Sequence, residues 1–219
     1  MVSLIKQQFL LFGIASYIAI ALFMAFFYIG TIPPYFIFGV MIVAFIITPI
    51  YYDERNNVNH FKISLPISKG TIVKSSYWFS VCIGILLIIY QSILMLFIPH
   101  IFDGSHYVYS WQDIVVLINM TLLLSSVILP IYFMFRSFIL ASFMTLTLSM
   151  FAGYLLTDQL IRILNMSEVI VFNDLDPGFP LLVETFIPFQ PYIVLSTFSV
   201  IIYYISMKGS EKIIAIKDA

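Results

Sequence analysis

The chain has 219 residues, of which 62% are hydrophobic and 10% are charged, and its formal net charge is −1. This composition leaves few places where the chain can meet water, and it offers no basic patch of the kind that binds nucleic acid. Cys82 is the single cysteine, which excludes a disulfide within the chain.

Six apolar runs follow one another along the chain, and each approaches the ~20 residues that an α-helix needs to cross a bilayer. They extend over about residues 9–29, 34–52, 77–98, 114–133, 139–156 and 189–207. We therefore expect an all-α integral membrane protein in which residues 1–219 form one transmembrane domain, with no room for a soluble catalytic domain. The first run is too long for the core of a signal peptide, so we expect it to be retained.

Positive charge is distributed unequally among the connections between these runs. If both termini are cytoplasmic, nine of the ten Lys and Arg residues lie inside and only Arg162 lies outside. Basic residues concentrate on the cytoplasmic side of membrane proteins. We therefore predict a multi-pass protein of the cell membrane with both termini in the cytoplasm.

The segment from Asp53 to Lys74 holds four of the ten basic residues and connects the second and third spans. Asp53 is a helix cap, Pro66 ends the helix, and Ser68 is a second cap, so the pattern predicts a surface helix, a break and the start of a membrane helix. The apolar face of the surface helix consists of Val58, Phe61 and Leu65. The alternative is a positively charged loop that only determines topology.

The last external connection runs from Thr157 to Pro188 and is long and partly apolar. This predicts short interfacial or re-entrant helices at the outer leaflet, and the alternative is a surface loop. Asp174 and Asp176 lie here but lack the later bidentate Glu of a calcium-binding EF-hand, so we predict no metal site.

Aromatic and amide side chains inside the spans are candidates for a substrate pathway. Aromatic residues crowd the first two spans, and Gln91 and Asn119 are the strongest polar side chains of the third and fourth spans. The predicted pathway residues are Phe27, Tyr28, Tyr51, Gln91 and Asn119. The alternatives are aromatic side chains that face lipid or pack between helices, and amides that bond one helix to another.

Several classes of protein are disfavoured by what the sequence lacks. The interiors of the six runs contain no Asp, Glu, Lys, Arg or His, whereas ion-coupled carriers usually need such groups at membrane depth. The sequence has no phosphate-binding loop, so if ATP drives this protein another chain must bind it. It also has no His-Glu-x-x-His or Gly-x-Ser-x-Gly motif, which argues against hydrolysis within the membrane.

The segment between the second and third spans resembles the signature of ABC-2 type transporter permeases. The matching residues are Asp53-Glu54, Phe61, the run from Ser64 to Lys69, Ile72-Val73 and Tyr77. Lys69, Gly70 and Thr71 depart from the family, which usually has Arg, Lys and Glu there, and the acid of a capping box is lost. The size and aromatic helices are most similar to small Gram-positive permeases that export amphipathic peptides, such as the phenol-soluble modulin exporter.

The resemblance implies that this segment contains a coupling helix, which docks into a separate cytoplasmic ATPase subunit. ATP and Mg²⁺ would be bound by that partner, and this chain would carry no cofactor. The resemblance also implies a second permease, either an identical copy or a paralogue. The implied ATPase-coupling residues are Asp53, Glu54, Val58, Phe61, Leu65 and Pro66.

Two functions are consistent with these observations. The first is the membrane subunit of an ATP-driven exporter that moves amphipathic or hydrophobic peptides by alternating access. The second is a membrane scaffold or immunity protein that transports nothing and recruits a partner through its cytoplasmic segment.

Overall fold

The computed structural model describes residues 1–29, 32–55, 68–101, 107–135, 137–164 and 175–217. Over these ranges the chain forms eight α-helices and no β-strand, in agreement with the predicted all-α class. The helices are α1 (Val2–Leu10), α2 (Gly13–Ile29), α3 (Pro34–Arg55), α4 (Lys69–Ile101), α5 (Trp111–Met134), α6 (Phe138–Ile163), α7 (Gly178–Phe186) and α8 (Pro191–Lys217).

Five of these helices, α3, α4, α5, α6 and α8, are long and apolar enough to cross a membrane. Repeated helices of this kind indicate a multi-pass membrane protein. Helix α2 is also apolar but has only 17 residues. The sixth predicted span therefore stays a prediction.

The first apolar run is divided between two helices, whereas the sequence predicted one span over residues 9–29. Helix α1 ends at Leu10, and α2 begins at Gly13, which has a φ of 63°. Glycine reaches this left-handed conformation without the steric cost of a Cβ atom. In α1, Leu4 and Gln8 are buried, and the Gln8 amide donates a hydrogen bond of 3.3 Å to Ser76 Oγ on α4. Hydropathy alone predicts a single span here, because apolar residues continue across the break between the two helices.

Three helices extend beyond the predicted apolar runs. Helix α4 begins at Lys69 rather than near residue 77, α6 continues to Ile163 rather than 156, and α8 continues to Lys217 rather than 207. Hydropathy marks the hydrocarbon thickness, whereas a helix can continue into water because its backbone hydrogen bonds are internal. The early start of α4 confirms that Ser68 precedes a helix.

Helices α4, α5 and α8 form a block joined by hydroxyl groups. The contact between α5 and α8 is the most extensive among the described helices, and α4 packs on both. The Tyr77 hydroxyl lies 2.7 Å from Ser206 Oγ and 2.9 Å from Ser210 Oγ, and the Tyr203 hydroxyl donates to the Tyr77 carbonyl oxygen at 2.6 Å. Ser206 Oγ also donates to the carbonyl oxygen of Ser126 on α5 at 2.7 Å. Such bonds stabilise helix association in lipid, where apolar surface supplies little driving force.

Helix α6 packs far less closely than this block. In the part of α6 that the structure describes, only Ala141, Thr145 and Leu160 are buried. Its C-terminal end contacts α7, where Gly178 faces Leu160 so closely that a Cβ atom on Gly178 would lie 2.8 Å from the leucine Cδ2. The predicted connection therefore contains a short helix, α7, while its interfacial or re-entrant placement stays a prediction.

We expect Tyr77→Phe to destabilise the protein, because the change leaves two serine hydroxyls without their tyrosine partner and keeps the ring. The loss should be roughly 0.5–1.5 kcal/mol, the usual net value of such hydrogen bonds. Thermal unfolding in detergent measures it. Tyr204→Phe is the matched control, because Tyr204 is 56% exposed. Equal unfolding temperatures for the two variants would contradict a stabilising role for the hydroxyl contacts.

Candidate functional site

The predicted coupling residues fall partly outside the described residues. Val58, Phe61, Leu65 and Pro66 belong to the undescribed range, whereas Asp53 and Glu54 lie at the end of α3. Asp53 is buried and Glu54 is exposed. The structure therefore locates the two acidic residues and leaves the predicted apolar face a prediction.

Glu54 contacts the first turn of another membrane helix. Its Oε1 atom accepts a hydrogen bond of 3.4 Å from the backbone N–H of Phe138, the first residue of α6. A carboxylate is favoured there because the first N–H groups of a helix have no partner within it and carry partial positive charge. The α3 end of the predicted coupling segment, residues 53–74, is thus bonded to α6.

The other end of the segment leads into α4. The Thr71 N–H donates to the Ser68 carbonyl oxygen at 2.8 Å, and the hydroxyls of these residues lie 2.7 Å apart. One turn further, Lys74 Nζ lies 3.7 Å from Glu211 Oε1 on α8. The two ends of the segment therefore contact different helices, α6 and α8.

An apolar cleft of about 480 Å³ lies between α3, α5, α6 and α7. Tyr35 and Phe179 line the end of the cleft next to α7, and their rings stack with centroids 4.1 Å apart. Besides Leu146 and Leu156, the α6 wall carries small or polar residues, namely Ser142, Thr145, Ser149, Ala152 and Gly153. Because these side chains fill little space, the cleft stays open along α6.

Thr145 presents a buried hydroxyl group at the α6 wall of this cleft. The residue is 2% exposed, and within the described ranges its Oγ1 atom makes no hydrogen bond of standard geometry, although Tyr132 is a near neighbour. The Tyr132 hydroxyl instead lies 2.9 Å from Ser142 Oγ. The cleft thus combines an apolar lining with one hydroxyl that has hydrogen-bonding capacity left.

A cluster of buried polar groups lies around Tyr35, at the end of the cleft next to α7. Asp113 is fully buried, and its Oδ1 atom accepts hydrogen bonds from the hydroxyls of Tyr35 at 2.6 Å and Tyr107 at 2.8 Å. Its Oδ2 atom accepts from the N–H and the hydroxyl of Ser110, which caps α5. Four donors therefore surround this carboxylate, which offsets the cost of burying it.

Asp176 is the second buried carboxyl group of this cluster and is less well partnered. Its Oδ1 atom accepts a hydrogen bond of 3.3 Å from the Tyr35 N–H, whereas Oδ2 has no hydrogen-bond partner in the described part of the chain. Burial raises the pKa of Asp176 from its ordinary value of 3.8 to about 8, and the nearby charge of Asp113 adds to the increase. Burial also raises the pKa of Tyr107 and Tyr109, so both stay neutral donors. Across the described ranges, no three His, Cys, Asp or Glu side chains are grouped to hold a metal ion.

The sequence did not predict this cluster as a unit. Ser110 and Asp113 have the spacing of a capping box, which is a readable signal for the start of α5. Nothing in the sequence relates them to Tyr35, which lies 78 residues from Asp113 and 141 residues from Asp176 along the chain. Such long-range pairs depend on tertiary packing.

The comparison with protein families decides what class of protein carries these features. A model described as ABC-2 family transporter protein matches residues 3–215. The chain belongs to the ABC-2 transporter family. In that family this chain is a membrane subunit, and the ATPase of the transporter is a separate partner subunit. Comparison with curated proteins gave no match, and comparison with solved structures gave none either.

Three of the predicted pathway residues of this ABC-2 family protein are hydrogen-bonded inside it. Tyr28 donates to the Tyr107 carbonyl oxygen at 2.8 Å, and Gln91 donates to the Pro34 carbonyl oxygen at 3.0 Å. Asn119 donates to Ser196 Oγ at 3.1 Å on α8. The contacts of Gln91 and Asn119 are interhelical bonds of the kind that was the alternative to a substrate role, whereas Tyr28 bonds to the segment that precedes α5.

The two other predicted pathway residues pack against aromatic rings. The Phe27 ring lies 4.3 Å from that of Phe23, and Tyr51, which is 40% exposed, lies 5.3 Å from the Phe138 ring. None of the five predicted pathway residues is among the described residues that line the cleft. A role in transport for these residues stays a prediction.

We expect the stability of this ABC-2 protein to fall as the pH rises from about 4 to about 8. In this window the buried Asp176 keeps its proton in the folded state, whereas the unfolded chain releases it, so the folded state binds more protons. Each pH unit across the window removes up to about 1.4 kcal/mol. Unfolding temperatures in detergent between pH 4 and pH 9 measure the slope.

Asp176→Asn should flatten this slope, since the amide cannot ionise and still accepts the bond from Tyr35. Asp158→Asn is the matched control, because Asp158 lies at the surface in an ion pair of 3.1 Å with Arg162. The prediction is wrong if Asp176→Asn keeps the pH slope of the unmodified protein.

Proposed function

We propose that this chain is the permease subunit of an ATP-driven exporter that moves amphipathic or hydrophobic peptides out of the cell. The observation that carries this proposal is an almost wholly apolar cleft between the membrane helices of an ABC-2 family protein. ATP and Mg²⁺ bind to the partner ATPase, and transport proceeds by alternating access. The resemblance to small Gram-positive permeases supports the same class of cargo.

The cleft has the size and chemistry to receive apolar side chains of such a peptide. Its volume of about 480 Å³ lies within the range of roughly 300–1,000 Å³ that is usual for small-molecule sites. Apolar side chains gain free energy on leaving water for such a lining. A free ion or a sugar would find too few polar partners here.

The cleft has one wall that is suited to move. Helix α6 buries few side chains, and its first residue, Phe138, is bonded to Glu54 at the end of the coupling segment. Displacement of this segment by the ATPase is therefore transmitted to α6. Since α6 lines the cleft, the same displacement widens or narrows the cargo site.

The arrangement of helix ends supports a single cytoplasmic side. The ends of α3 and α6 meet at Glu54 and Phe138, and the ends of α4 and α8 meet at Lys74 and Glu211. Asp113 and its partners lie at the opposite ends of the helices. Together with the concentration of basic residues on one side, this supports cytoplasmic termini in the cell membrane.

A second permease, identical or paralogous, completes the transporter in this proposal. Helix α6 carries several large apolar side chains that are more than 60% exposed, among them Phe143, Met150 and Tyr154. The second permease and membrane lipid are the partners that cover such a surface.

Phe61→Asp tests the coupling segment. The sequence places Phe61 on the apolar face that docks into the ATPase, where an unpaired charge costs several kcal/mol. We expect the variant to insert normally yet to lose ATPase binding or peptide export. Asn59→Asp is the matched control, because the pattern places Asn59 on the opposite face. Binding is measured by co-purification and export by transport of a fluorescent amphipathic peptide into inside-out vesicles.

Normal export by Phe61→Asp would return the segment to the role of a topology-determining loop. An ATPase that co-purifies but drives no peptide movement in the unmodified protein would favour the scaffold or immunity function. Reduced expression of Phe61→Asp without a change in export per molecule would equally contradict docking at this residue.

Gly153→Phe tests the cleft as the cargo site. A Cβ atom on Gly153 would meet no atom within 4 Å, so the ring has open space and fills the cleft without a clash. We expect peptide-stimulated ATP hydrolysis to fall about tenfold, the factor given by ~1.4 kcal/mol of lost binding, while the ATPase stays bound. Leu148→Phe, at an α6 position outside the cleft lining, is the control. Unchanged stimulation in Gly153→Phe would exclude the cleft.

A further inference from the structure

The cytoplasmic ends of α4 and α8 meet at one glutamate. Glu211 lies on the part of α8 beyond residue 207, where the apolar run ends. Its Oε2 atom lies 3.0 Å from Lys208 Nζ on its own helix, and its Oε1 atom lies 3.7 Å from Lys74 Nζ on α4. The carboxylate side chain is 20% exposed. Glu211 thus bridges two lysines from two different helices.

Glu211 also packs against the first turn of α4. A Cβ atom on Gly70 would lie 3.8 Å from Glu211 Cδ, an ordinary van der Waals distance, so the carboxylate lies directly beside the helix start. The free N–H groups of a first helical turn favour a nearby negative charge. Position and charge therefore hold Glu211 against the turn that directly follows the coupling segment.

Further contacts between α4 and α8 lie on the membrane side of Glu211. Tyr77 lies two turns after Gly70, and its hydroxyl contacts Ser206 and Ser210 on α8. The Tyr203 hydroxyl on α8 also donates to the Tyr77 carbonyl oxygen. From Gly70 to Tyr77, α4 is thus joined to α8 by an ion pair and by hydroxyl groups.

We infer that Glu211 is a positioning residue that makes the cytoplasmic ends of α4 and α8 move as one body when the ATPase displaces the coupling segment. This inference rests on the proposed function. It adds a second route of transmission to the contact between Glu54 and α6. One end of the segment acts on the mobile wall of the cleft, and the other end acts on the block of α4, α5 and α8 that forms the opposite side.

A role in positioning fits the chemistry better than a role in stability. Both lysine side chains are 43% exposed, and ion pairs at this exposure add little to folding stability. The same pair still restricts the relative position of two helix ends. The effect of Glu211 should therefore be visible in coupling and not in the amount of folded protein.

Glu211→Gln, in the complex of the permease with its co-purified ATPase, tests this inference. We expect export of a fluorescent amphipathic peptide per ATP hydrolysed to fall about two- to fivefold, the effect of one exposed ion pair on a two-state equilibrium. Expression and ATPase binding should stay unchanged. Lys212→Gln is the matched control, because Lys212 is the exposed neighbour of Glu211. Unchanged coupling in Glu211→Gln, or loss of ATPase binding, would overturn the inference.

A reversible covalent link separates positioning from folding. On a Cys82→Ser background, Gly70→Cys with Glu211→Cys places two thiols at positions that are in contact. We expect the oxidised complex to couple like the unmodified one and the reduced complex to behave like Glu211→Gln. Failure to form the disulfide, or loss of coupling on oxidation, would show that these ends are apart or must separate.

The same experiment keeps the two proposals distinguishable. Hydrolysis of ATP without export of the labelled peptide by the unmodified complex would contradict the proposed export function and not the link between α4 and α8. The oxidised and reduced double-cysteine complexes would then still test the link, because their rates of ATP hydrolysis should differ. Equal rates would overturn the link independently of the cargo.

Discussion

The structure depends on one constraint, which is that a polar group inside a membrane protein must find its hydrogen-bond partner within the protein. In hydrocarbon each unsatisfied group costs several kcal/mol, since water cannot replace the missing partner. This constraint accounts for the block of α4, α5 and α8, where Tyr77, Tyr203 and Ser206 bond one helix to the next. Within the described ranges, helix α6 has few such bonds to its neighbours, among them the contact between Tyr132 and Ser142.

The same constraint shapes the opposite ends of the helices. Asp113 is buried with four donors, whereas Asp176 is buried with one and holds its proton instead. One carboxyl group is therefore stabilised by partners and the other by neutralisation. The two carboxyl groups lie on either side of Tyr35. Its hydroxyl donates to Asp113, and its backbone N–H donates to Asp176.

Much of this architecture could be predicted from hydropathy and charge. The all-α class, the order of the apolar runs and the start of α4 after Ser68 follow from local sequence, because they depend on neighbouring residues. The break at Gly13 could not be predicted, because apolar residues lie on both sides of it. Hydropathy does not show where the chain changes direction within an apolar run.

The candidate site was less predictable than the fold. Tyr28, Gln91 and Asn119 were recognised as unusual polar or aromatic side chains, yet their partners lie far along the chain, and only packing determines which carbonyl or hydroxyl they meet. The cleft was missed because its α6 wall contains small residues such as Gly153, which matter through the space that they leave. Glu211 was missed because it falls outside every apolar run.

The hydroxyl groups of α5 have a consequence for biosynthesis. Helix α8 follows α5 and α6 along the chain, so α5 is synthesised and reaches the membrane before its main packing partner has been made. Thr121, Ser125 and Ser126 each donate to a carbonyl oxygen four residues earlier on α5, at 3.0, 2.7 and 2.6 Å. Asn119 does the same toward Val115 at 2.7 Å while it also contacts Ser196. Because these bonds lie within one helix, α5 can enter the bilayer with its side-chain donors already satisfied and exchange lipid for α8 later.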